Sequence, residues 1–130
     1  MTSSSRKQQP DITRAGCGYS RVLDIISNKW TALVIYALEN GQIRYGEISR
    51  RVDGISKKML TQTLRKLERD GIIKRHITPV VPPIVDYSLT SLGETLLEPM
   101  KELRQWGRTN YSQVEEARFH YDRTLPERGG

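Results

Sequence analysis

The sequence has a single cysteine, Cys17, in 130 residues, so no disulfide can form within the chain. That fits a reducing, cytoplasmic setting. Histidine is almost as scarce: His76 and His120, even with Cys17, show none of the spacing a metal site needs. There is no glycine-rich phosphate loop and no nucleophile motif. The expectation is therefore a protein that is not an enzyme and needs no cofactor. Long apolar runs are missing too. The longest, residues 32–38, falls far short of the ~20 residues that cross a bilayer, so no membrane partner is expected. The opening stretch, residues 1–15, is polar and offers no hydrophobic segment to a secretory signal. Internal repeats and low-complexity segments are absent.

What is present is ordinary for a globular chain: 36% hydrophobic and 28% charged residues. The length suits one domain, read here as residues 12–118, between a flexible arm (1–11) and a tail (119–130). The balance of 21 Lys+Arg against 15 Asp+Glu gives a formal charge of +6. This favours a polyanionic partner without saying which.

Hydrophobic periodicity predicts an amphipathic helix over 20–26 and a densely apolar, buried one over 29–38, capped by Ser27 or Asn28 and stopped at Asn40-Gly41. Ile43-Arg44 can form only an edge strand. A two-turn helix over 46–52 leads into the turn Asp53-Gly54, and Ser56 is a good N-cap for a helix over 57–70. Two strands, 72–78 and 84–89, are joined by a loop with three prolines (79–83), too stiff for a two-residue turn. A last helix, capped by Thr90, is predicted over 91–118, kinked at Pro99. The fold class is mainly α with a small β wing, a winged helix-turn-helix.

The helix over 57–70 carries the chemistry. Leu60, Leu64 and Leu67 form one stripe, and Lys58, Gln62, Arg65 and Arg69 form the opposite one. In a helix-turn-helix the second helix enters the major groove of double-stranded DNA. Gln62 can pair with adenine, and Arg65 or Arg69 with guanine. Ser56, with the backbone N–H groups of the first turn, can hold a phosphate. Lys57, Lys58 and Thr61 suit phosphates near that end, with one of them able to reach a base. Lys74 and Arg75 place further charge on the wing. Between residues 56 and 76 the acids are only Glu68 and Asp70, so the excess positive charge is local to the motif.

These residues bring a resemblance into view. Cys17, Leu23-Asp24-Ile25-Ile26-Ser27-Asn28-Lys29-Trp30-Thr31, the run from Ile55-Ser56-Lys57-Lys58 to Asp70-Gly71-Ile72-Ile73, Val81-Pro82-Pro83-Ile84-Val85-Asp86-Tyr87-Ser88-Leu89-Thr90 and Gly93 are similar to the HxlR-type winged-helix transcriptional regulators. The resemblance implies a homodimeric repressor on a palindromic operator. It also implies a recognition helix beginning near Ser56 and an interface built from the first and last helices. Interface candidates are Val22, Leu96, Met100, Leu103, Trp106 and Tyr111. The aromatics among them could instead fold back onto their own subunit. The apolar stripe of the last helix, longer than so small a domain needs, independently favours a second copy.

Cys17 leaves two readings open. A thiol near a helix N-terminus with Arg14 and Arg21 close in sequence can have a lowered pKa and answer an oxidant or a small-molecule electrophile. It can equally be a buried small hydrophobe. Alternatives to a specific regulator are a winged-helix protein–protein interaction module and an architectural protein that binds DNA without sequence preference. An RNA partner fits less well, because A-form RNA hides its major groove.

Overall fold

In a computed structural model, residues 18–128 are described, with side chains through residue 124. The chain divides into two compact units, Met1–Glu94 and Thr95–Gly130. Residues 1–11 and Cys17 lie outside the described residues.

In the first unit, α1 (Gly18–Ile26) is amphipathic and buries none of its residues. Helix α2 (Lys29–Ala37) starts where the Asn28 side chain accepts a 2.8 Å hydrogen bond from the Trp30 N–H. It buries Val34 and Ile35 completely, as its apolar density requires. The chain then turns at Gly41, which takes the positive φ of +127° that side chains rarely adopt. Strand β1 (Ile43–Arg44) leads directly into α3 (Tyr45–Arg51). After a turn with Gly54 at φ +88°, α4 (Lys57–Arg69) begins on a Ser56 cap whose hydroxyl accepts from the Met59 N–H at 3.1 Å.

Gly71, at φ +76°, ends α4 and sends the chain into β2 (Ile73–Thr78), which returns as β3 (Ile84–Leu89). The sheet has the order β1-β3-β2 and is antiparallel throughout, with Ile43 opposite Tyr87 and Arg75 opposite Tyr87 from the other side. The core gathers Leu38, Ile48, Val52, Leu60, Leu64, Leu67, Ile72, Ile73, Tyr87 and Leu89 from three helices and the sheet. Helix α5 (Ser91–Glu94) closes the unit. The Thr90 hydroxyl accepts from the Gly93 N–H at 3.0 Å and donates to the Gly71 carbonyl at 2.6 Å.

The second unit is dominated by α6 (Leu97–Arg128). The single kinked helix expected over 91–118 is instead interrupted at Thr95 and Leu96. Pro99 has no N–H to give the Thr95 carbonyl, and its ring crowds that oxygen. Ladder bonding resumes with the Met100 N–H on the Leu96 carbonyl. The helix also continues past Arg118 to Arg128, through most of the stretch read as a tail. At 32 residues it is about 48 Å long.

Candidate nucleic-acid interface

Helices α3 and α4 form the helix-turn-helix. Its geometry is fixed from behind: Leu60 and Leu67 are fully buried and Leu64 nearly so. Thr63 is buried on the same side, its hydroxyl donating to the Met59 carbonyl at 2.7 Å. The turn is backed by Trp30, whose ring edge lies 3.8 Å from where a Cβ on Gly54 would be. With that face committed to the core, Lys58, Gln62, Arg65 and Arg69 all stand exposed on the other. Ser56, Lys57 and Lys58 are exposed around the N-terminal turn, where unpaired backbone N–H groups and the helix dipole favour an anion.

Two residues that charge counting alone would assign to the surface are tied down. The Lys66 ammonium donates to the Asp24 carbonyl at 3.2 Å, bracing α4 against the end of α1. Arg75, on β2, approaches Glu68 of α4 with Nε 3.8 Å from the carboxylate. Arg75 thus forms an exposed ion pair from β2 to α4. Lys74 points to the other face of the strand and is exposed. At the tip of the loop joining β2 to β3, Val81 is 99% exposed.

Sequence reading missed Tyr45. It starts the first helix of the motif at Gly46, whereas Tyr45 is the first residue of α3 and its hydroxyl bridges to α4, 3.2 Å from the Lys57 carbonyl and 3.0 Å from the Thr61 hydroxyl. No periodicity marks such a residue, because its contact is made by one atom across the turn. Along α3, Glu47 pairs with Arg50 and Arg51, and the Arg50 contact leads in holding its carboxyl below the usual carboxylate range. Burial pushes the Tyr87 phenol up, against the opposing pull of Arg75.

A groove of about 450 Å³ opens among Gln42, Ile43, Arg44, Glu47, Arg50 and Asp86. Of the interface candidates, Val22 is exposed on α1. On α6, Leu103 is 64% and Trp106 55% exposed, Tyr111 is exposed and Met100 half-buried. Leu96, just ahead of that helix, is half-buried. Among the described residues no helix is long and apolar enough to cross a membrane, and no group of His, Cys, Asp and Glu could hold a metal.

The model of the HxlR-like helix-turn-helix family matches residues 25–115. The HTH-type transcriptional regulator YkvN of Bacillus subtilis is 43% identical over 116 residues, covering 89% of this chain and 98% of its own. Among solved structures, a transcriptional regulator of the MarR family from Porphyromonas gingivalis W83 superposes with a TM-score of 0.73 at 40% identity. That match covers 78% of this chain and 99% of the other. The oxidised form of the redox regulator HypR gives 0.68 at 39% identity, over 72% and 97%.

Proposed function

The chain belongs to the HxlR-like helix-turn-helix family of DNA-binding transcription regulators, and from that premise we propose that it acts in the cytoplasm as a homodimeric repressor on a two-fold symmetric operator. The carrying observation is the division of α4 between a buried leucine stripe and an exposed row of Lys58, Gln62, Arg65 and Arg69. Gln62, Arg65 and Arg69 read bases in the major groove, while Ser56, Lys57 and Lys58 hold phosphates at the helix N-terminus. Lys74 and Arg75 bring the wing to the backbone. The second copy docks on the apolar face of α6, through Leu103, Trp106 and Tyr111 with Leu96 and Met100, joined by Val22 of α1.

Selection from a random duplex pool at near-physiological salt tests this. Enrichment of a palindrome with half-sites about one helical turn (~34 Å) apart supports it. Recovery of unenriched DNA, with affinity falling steeply in salt, would put the architectural reading first. Absence of binding would favour a protein–protein module.

The likeness to a redox regulator favours a second, finer reading, in which an oxidant or electrophile acts through Cys17 to release DNA. Diamide should then release the wild type from its operator but not Cys17→Ser. Equal release of both removes Cys17 from the mechanism.

A further inference from the structure

A phenol carries one proton and a threonine hydroxyl one. The Tyr45 hydroxyl sits 3.2 Å from the Lys57 carbonyl and 3.0 Å from Thr61 Oγ1. The carbonyl can only accept, so both contacts are hydrogen bonds only when the phenol's proton goes to it. The contact with Thr61 is then held by the only proton left, that of Thr61 itself. The Thr61 hydroxyl is therefore left with lone pairs and nothing further to donate.

That polarity limits what Thr61 can touch. Phosphate oxygens are acceptors, as are guanine O6 and N7, adenine N7 and thymine O4. None of them can pair with an oxygen whose proton is spent. The only base donors exposed in the major groove are the exocyclic amino groups of adenine and cytosine. Thr61 is half-buried on α4, immediately before Gln62 and one turn before Arg65, on the flank of the exposed cationic row. We propose that Thr61 is a specificity-determining residue that accepts a hydrogen bond from a base amino group, and that Tyr45 is the positioning residue that fixes its polarity. The inference rests on the DNA-binding reading above and replaces the phosphate contact that position alone suggested for Thr61.

The experiment uses the full-length protein on its selected operator, with each adenine of a half-site replaced in turn by purine and each cytosine by 2-pyrimidinone. These analogues lack the exocyclic amine. At one position, loss of the amine should weaken wild-type binding about three- to tenfold. Thr61→Ser should keep that sensitivity and Thr61→Val should lose it. Whether the position is an adenine or a cytosine identifies the donor. Tyr45→Phe frees the Thr61 proton, so this variant should newly tolerate thymine or guanine there while its preference elsewhere is unchanged. A Thr61→Val variant that weakens binding equally on every analogue duplex would mean a phosphate or purely structural role and overturn the assignment. So would identical profiles for Thr61→Val and wild type. If selection enriches no sequence at all, the regulatory reading falls and takes this assignment with it.

Discussion

Single atoms decide much of how this helix-turn-helix is held. Gly93 is the sharpest case: a Cβ there would lie 2.1 Å from the Ile72 carbonyl oxygen, inside any tolerable contact. Gly93→Ala should therefore destabilise the protein by about 1–3 kcal/mol or more, read as a lower denaturation midpoint. Glu68 acts in the other direction. Its carboxylate pairs with Arg75 and puts a negative charge beside the proposed DNA-contacting surface. Glu68→Gln should tighten DNA binding, with the log–log salt slope steeper by about one counterion, and leave stability nearly unchanged. A salt titration of the two proteins checks it; an unchanged slope would mean that Arg75 serves the wing and not the duplex.

Elements separate folding from recognition more cleanly. Leu64→Ala should cost about 2–5 kcal/mol of stability, because it empties a nearly buried site. Arg65→Ala, one residue on, is exposed and should leave the denaturation curve in place while weakening operator binding by about 1–3 kcal/mol at one base pair. Equal loss of stability in both would contradict the two-faced helix. This contrast was legible in the sequence, since Ser56, the leucine spacing and Gly71 mark the start, inner face and end of α4. The interruption at Thr95 and Leu96 was not, because apolar periodicity continues past Pro99 and carries no information about a crowded carbonyl. The run of α6 beyond Arg118 was hidden for the opposite reason: its polar, proline-containing sequence keeps no continuous apolar stripe. Tyr45 and Lys66 stayed hidden as well, because each acts through one terminal atom that reaches a separate element.

On the scale of the whole molecule, α6 leaves Leu103 and Trp106 more than half exposed, surface that a second copy would cover. The double substitution Leu103→Asp with Trp106→Asp should shift the protein to monomer by sedimentation equilibrium and weaken operator binding by at least tenfold, because a lone half-site loses its linked partner. Far-ultraviolet circular dichroism should remain helical. A dimer that survives both substitutions would place the interface elsewhere.

The partition of α4 also bears on how such a protein can change over time. The side chains that secure its fold, Leu60, Thr63, Leu64 and Leu67, are not the ones displayed at Lys58, Gln62, Arg65 and Arg69. A duplicated gene can therefore drift at the displayed positions without passing through an unstable ancestor. The helix works as an exchangeable cassette in a chassis that does not register the exchange.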